Sequence, residues 1–350
     1  MLIFDRKEVS IYGHKKFVKL FMIMNITMLL LGGGIVWWYD PIFKFHKPLM
    51  KPKYFDEIYQ NSGIANNFDY DSVIIGSSMT ENFKISSFNK AFNSNSIKLS
   101  YSGMRAKDLD LALSQVLKSK NKINTILIGL DDHLLDYPKY EFRFDIPTFV
   151  YKSDFLSSLK YVFNKNLLIK ALEAEAKDTD RPYCWYDTVN FGKKYWINDY
   201  KYIDYSNVPE KELSDIEKEI IDNNMKYLIN SIKMKPETDF EIFIPPYSII
   251  YWYRNKGEGK INYQLDVQLY VYKKLLEFEN VKIYYFQNDL NIIENLDNYK
   301  DYSHYSESIS EYILAAIAYE RNKLTKENID NTLQQFRNYL VTYDFSKIFD

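Results

Sequence analysis

The stretch SVIIGSSMTENF, residues 72–83, decides how this chain is read. Its first five residues, Ser72–Gly76, are apolar and lack the alternation of a strand with one wet face. A run of that kind suits a strand buried on both faces of a parallel sheet. The closing glycine lets the backbone turn tightly. The residues that follow then emerge at the strand's carboxyl edge, where open α/β sheets place their ligands. Ser78 stands there, and a serine so placed becomes a nucleophile once a base lies beside it. Alone, Gly-Ser-Ser also spells an ordinary turn.

Similar apolar runs recur along the chain: Ile97–Ser100, Thr125–Leu130, Phe240–Pro245 and Val281–Phe286. Helical patterns fall between them, over Lys107–Lys118, Glu210–Ile232 and Gln264–Phe278. A last one carries Ile309, Tyr312, Ile313, Ala316 and Ile317 at helical spacing. Ser306 is placed to cap it and Glu307 suits its first turn. Strand–helix alternation predicts a mostly parallel, doubly wound sheet covered by helices. About a hundred residues separate the third and fourth strands, far more than a usual connection of roughly 2–6. They predict an inserted helical subdomain over 137–238. Its Trp185, Tyr186 and Trp196 suit either a carbohydrate platform or the insertion's own core.

The chemistry-bearing partner for Ser78 comes late, in Asp301-Tyr302-Ser303-His304. The chain has only four histidines. His14 and His46 lie in or beside the N-terminal segment, which leaves His133 and His304 for a distal site. An Asp three residues before a His on a loop places its carboxylate on Nδ1 and leaves Nε2 to take the serine proton. Serine after the first strand and histidine after the last meet at one edge of a doubly wound sheet. Gly-x-Ser-x-Gly, the elbow of α/β-hydrolases, is absent, since Thr80 stands at its final position. There is no phosphate-loop or dinucleotide fingerprint. No His-based metal spacing occurs, and Cys184 is the one cysteine. The reading calls for no metal and no cofactor.

Taken in order, these segments resemble the SGNH (GDSL-like) hydrolase family. Ser78 in Gly76-Ser77-Ser78 matches its first block, and Gly103 in Tyr101-Ser102-Gly103-Met104 its second. Gly129-Leu130-Asp131-Asp132 falls where the third block has Gly-x-Asn-Asp, and Asp301-x-x-His304 is similar to the last. The resemblance covers about Asp71 to Glu320 without the insertion. It implies catalysis by Ser78, Asp301 and His304, and an oxyanion hole from Ser78, Gly103 and residue 131. Ser77, His133 and Tyr247, the last in Pro245-Pro246-Tyr247-Ser248, are the expected substrate contacts. The chain departs from the family twice. Ser77 replaces the usual Asp, as in the membrane-anchored branch serving teichoic-acid D-alanylation. Asp131 replaces the Asn whose side chain would donate to the oxyanion, and an ionised carboxylate repels that charge.

From Leu20 to Trp38 no residue is charged, and such a helix spans roughly 30 Å, the core of a bilayer. Trp37, Trp38 and Tyr39 close it as an interfacial belt would. Arg6, Lys7, Lys15, Lys16 and Lys19 precede it, which puts the N-terminus in the cytoplasm and the body outside. A cleaved signal has a shorter apolar run and a small-residue cleavage site. A buried helix rarely has such flanks. The expected organisation is a cytoplasmic 1–19, an anchor 20–38, a polar juxtamembrane segment 39–70, a body 71–322 and a helical tail 323–350.

Hydrophobic residues make up 46% and charged residues 26% of the chain, values of a folded protein. A net charge of -2 offers no field for nucleic acid. The resemblance, placed outside a membrane, implies acyl transfer to a cell-envelope polymer beside a membrane-bound O-acyltransferase, with acetyl or D-alanyl as the group moved. Ester hydrolysis in the same site and a non-catalytic scaffold that binds polymer are the alternatives.

Overall fold

The computed structural model describes residues 6–175, 179–184 and 186–349. Residues 1–5, Trp185 and the side chains of Arg6 and Lys7 lie outside the described residues. Six strands form one sheet: β1 Ser72–Gly76, β2 Ser96–Ser100, β3 Thr125–Gly129, β4 Asp239–Ile244, β5 Val281–Tyr285 and β6 Lys323–Leu324. Their order is β2-β1-β3-β4-β5-β6. The first five are parallel, and β6 runs antiparallel to β5. β1 is buried at every residue, as its unbroken apolar run demands. The register sets Gly76 beside Ser100 and Gly129 beside Phe243, so these strand ends share one edge. Direction along the sheet reverses between β1 and β3, which opens a crevice at the end of β1.

The helices are α1 Arg6–Tyr39, α2 Glu57–Asn67, α3 Ile85–Phe92, α4 Ala106–Lys118, α5 Asp132–Asp136, α6 Thr148–Tyr151, α7 Phe155–Val162 and α8 Lys165–Glu173. There follow α9 Lys193–Trp196, α10 Asp215–Met234, α11 Ile249–Gly257, α12 Ile261–Leu275, α13 Leu290–Ile293, α14 Glu307–Ala318 and α15 Ile329–Thr342. α10 starts five residues later than its charge pattern suggests, at a capping box of Ser214 and Glu217. Ser306 holds the capping position of α14, yet its hydroxyl bonds Ser308 and not the helix backbone. Glu307 in that first turn pairs with Lys84 and Arg181.

α1 is the one helix among the described residues long and apolar enough to cross a membrane. Most of its surface is uncovered by the body. Asn25 satisfies its amide within the helix, on the Phe21 carbonyl.

Three boundaries differ from expectation. Residues 39–70 are part of the body: Ile42, Phe43, Ile64 and Ala65 are buried, and α2 packs on α4 and β2. The stretch reads as polar although several of its polar side chains are buried, Gln60 among them. Gln60 accepts from the amides of Phe55 and Asp56 and donates to the carbonyls of Pro41 and Lys53. The residues from 323 onward are no tail either, since β6 extends the sheet and α15 packs on α12. Finally, 137–238 is not one subdomain. Its helices α6–α8 share a small core with the end of α1, around Val36, Ile42, Val150, Tyr161 and Leu167. Tyr183 and Trp196 join the main core, while α10 packs on α4 and α5.

Phe336 of α15 is buried against Trp252 and Tyr285, with ring centroids 5.2 and 6.2 Å away. Phe336→Ala should cost about 3–5 kcal/mol in urea unfolding of the detergent-solubilised protein. An unchanged midpoint would show that the C-terminal helix is an appendage.

Candidate active site

Ser78 opens a 3-10 turn, Ser78–Thr80, directly after β1. The Ser77 hydroxyl caps this turn by accepting the Met79 amide at 3.2 Å. Thr80 folds back so that its hydroxyl donates to the Ser77 carbonyl at 2.9 Å, with Ser100 Oγ at 2.8 Å. Its methyl fills the space above the two strand-end glycines. A Cβ at Gly76 would overlap Thr80 Cγ2, and one at Gly129 would come within 2.9 Å of it. Gly76 is thus required for close approach. Its φ lies outside the left-handed region, so the tight turn expected of it is not the reason it is glycine.

Distant segments satisfy the carbonyls of this turn. Tyr186 donates to Ser78 O at 3.0 Å, and Tyr305 to Met79 O at 2.7 Å. Lys98 of β2 is buried and donates to the carbonyls of Glu81 and Phe83 at 2.6 and 2.9 Å. Burial lowers its pKa to about 8. Asn82 ties the segment to Tyr305 O, and the buried Cys184 thiol donates to Asn82.

The loop before α14 is closed by a bridge between Tyr299 and Tyr305 and by the Lys300 amide on the His304 carbonyl. Trp196 donates to Tyr299 O, the Tyr299 hydroxyl reaches Pro246 O, and Ser248 binds Tyr302 O. So held, His304 Nε2 lies 2.8 Å from Ser78 Oγ. Its Nδ1 lies 2.7 Å from Asp301 Oδ2. The other Asp301 oxygen accepts the amides of Ser303 and His304 at 2.9 and 2.8 Å. Burial works to raise the Asp301 carboxyl, but the His304 ring and these amides outweigh it and hold it well below the ordinary range. An ionised carboxylate on Nδ1 places the ring proton there and leaves Nε2 as acceptor. Ser78 to His304 to Asp301 is therefore a continuous path able to take a hydroxyl proton from the serine.

The cleft at this point measures about 250 Å³ and is lined by Ser77, Ser78, Asp131, His133, Tyr247 and His304, among others. His133 is exposed and bonds the Met104 carbonyl at 3.0 Å. Asp131 is fully buried; one oxygen accepts the Tyr247 hydroxyl at 2.7 Å and the other has no hydrogen-bond partner. Burial and the adjacent Asp131 carboxylate push the Tyr247 phenol far above its usual range, so it keeps its proton and donates it. Gly103 takes φ +64, which favours glycine. It sits against Arg143, outside the cleft lining. Asp132, one residue along, turns into the body and accepts from Tyr251 at 2.9 Å and from Gln268 at 2.9 Å. Burial raises its pKa to about 6. Among the described residues, no group of three His, Cys, Asp or Glu is placed to hold a metal ion.

Several contributors carry no motif. Tyr186 stands edge-on to the His304 ring at 5.6 Å, one tyrosine among 32. It and Trp196 are buried behind the histidine loop, so neither is a platform for a carbohydrate, and neither fills a core confined to the insertion. Lys300 reaches Asp301 Oδ2 at 3.2 Å. Its neighbour Asp301 is the only signal that marked it.

No protein-family model matches the sequence, and no curated protein does. Among solved structures, a Streptococcus pneumoniae protein provisionally described as a platelet activating factor is similar at 11% identity and TM-score 0.39. The match covers 75% of this chain and 89% of that one.

Two outcomes test this geometry. Gly76→Ala should lift the Ser78 turn off the sheet and cost about 1–3 kcal/mol by overpacking. Adding Thr80→Ser, which deletes the offending methyl, should recover most of that loss in thermal unfolding. The raised pKa of Asp132 makes its contribution to stability full below about pH 4 and lost as pH rises through about 6. Between those values the wild type should lose about 3 kcal/mol more than Asp132→Asn, as read from urea midpoints across pH.

Proposed function

We propose that this chain is a membrane-anchored, extracytoplasmic SGNH-like enzyme. In this reading Ser78 takes up an acyl group, acetyl or D-alanyl, and delivers it to a hydroxyl of a cell-envelope polymer. The observation that carries the reading is the unbroken hydrogen-bonded path from Ser78 through His304 to Asp301, assembled from segments 226 positions apart. The strand order β2-β1-β3-β4-β5 supports a doubly wound sheet with this site at its switch point. The long apolar α1 supports the anchor, and the lysines before its apolar run support a cytoplasmic N-terminus.

The steps follow from the geometry. Ser78 Oγ attacks the acyl carbonyl while His304 Nε2 accepts its proton; His304 then hands that proton to the departing group. The polymer hydroxyl enters, gives its proton to His304, and takes the acyl group from Ser78, which recovers its proton. Asp301 stays ionised and holds the imidazolium that forms. Asp131 is taken up by accepting from Tyr247 and Gly103 lies outside the cleft lining, so that charge falls to the amide of Ser78. A membrane-bound O-acyltransferase is the proposed source of the group. Water in place of the polymer hydroxyl would make the same site an esterase.

A serine-directed fluorophosphonate should label the full-length protein at Ser78 and not the Ser78→Ala variant. Polymer acylation in cells carrying Ser78→Ala should fall at least about a thousandfold. Normal acylation by a folded Ser78→Ala protein would sink the proposal and leave a scaffold. Rapid release of free acid from an acyl ester, with no acylated polymer, would mark an esterase.

A further inference from the structure

The consecutive helices α7 and α8, which reverse direction through Phe163 and Asn164 and are termed a hairpin for that turn, carry an apolar surface that the body does not cover. Phe155, Leu156, Phe163, Ile169 and Leu172 are between 47% and 74% exposed. Their opposite faces are buried, Tyr161 and Leu167 in the small core and Ala171 beside it. Each helix is therefore apolar on both sides, which a hairpin surrounded by water has no reason to be. Its position gives the reason. Val162, at the tip of the hairpin, lies against Gly33 of α1, where an added Cβ would come within 3.3 Å of Val162 Cγ1. Ala171, near the other end of α8, accepts the Tyr39 hydroxyl at 3.3 Å. α7 thus lies alongside the last turns of α1 and α8 returns to its end, with the tip about 9 Å back from Tyr39 along that helix. Those turns belong to the uncharged segment 20–38. Amphipathic helices bury their apolar faces to about 5–10 Å in the headgroup and acyl boundary, which is the depth this tip takes if Tyr39 marks that boundary. The segment also bears Lys152, Lys160 and Lys165 against Asp154 and Glu173, with Lys170 paired to Asp56 of the body, a small positive excess that anionic headgroups favour.

We infer that the α7–α8 hairpin is a second membrane contact, with its exposed apolar face embedded in the interfacial layer of the lipid bilayer that α1 enters. The inference rests on the reading of α1 as an anchor. A lone helix leaves the body free to rotate about its tether. A hairpin wedged beside it removes that freedom and holds the cleft at one attitude to the membrane surface.

The full-length protein in a Cys184→Ser background, labelled with bimane at Leu156→Cys or Phe163→Cys, tests this. It is reconstituted alone into vesicles of phosphatidylglycerol and phosphatidylethanolamine, with or without nitroxide near the headgroup end of the acyl chain. Leu30→Cys reports on α1 and Ile216→Cys, exposed on α10, reports on the water-facing body. Loss of emission at positions 156, 163 and 30, with none at 216, is expected. Quenching at 30 without quenching at 156 and 163 overturns the hairpin contact, leaves the anchor standing and assigns that face to a second protein. Quenching at none of them removes the anchor reading as well.

Discussion

Thr80 is pressed against the two glycines that end β1 and β3, and the height of the Ser78 turn above the sheet follows from that contact. A close-packed interior has no room to absorb even one added carbon here. The threonine hydroxyl, bonded to Ser77 O and to Ser100, fixes the same residue by direction as well as by contact. Lys98, Tyr186 and Tyr305 then hold the carbonyls that the short turn cannot satisfy by itself. The serine is therefore placed by the sheet edge, and the histidine is brought to it.

Three carboxylates near this edge have three different environments, and the differences divide their roles. Asp301 receives two amides and an imidazole, so it is held ionised. Asp132 is surrounded by neutral amide and phenol donors in the interior, and its burial is felt as a raised pKa. Asp131 lines the cleft, tied at one oxygen to Tyr247. Identical chemistry thus serves to orient a base, to knit the core and to shape the cleft, according to what donates to it.

The end of α1 is joined to the body at more than its chain connection. Asp40, with positive φ, accepts the amides of Lys44, Phe45 and His46 and the Tyr161 hydroxyl. That cluster packs the helix exit onto the hairpin of α7 and α8. The long insertion serves two places at once: its early helices α6–α8 brace the apolar helix, and Tyr186 and Trp196 further along brace the histidine loop.

The sequence alone determined the five parallel strands to within a residue or so, because short runs dominated by apolar residues recur between helical patterns, even though β2 buries Lys98 and β4 buries Glu241. It also determined α1, by its length without charge, and the proximity of Asp301 to His304, by their spacing. Residues 39–70 were illegible because Gln60 and Asn61 are buried yet polar, and composition cannot tell a buried amide from a solvated one. The contacts of residues 323–350 were hidden for a related reason: an amphipathic pattern shows that a face is covered and not by what. Only the tertiary structure decided that Ser78 meets His304, that Tyr186 among 32 tyrosines stands beside the pair, and that Asp131 is bound to Tyr247. Those are contacts between residues far apart in the chain, set by strand order and packing, which local pattern does not encode.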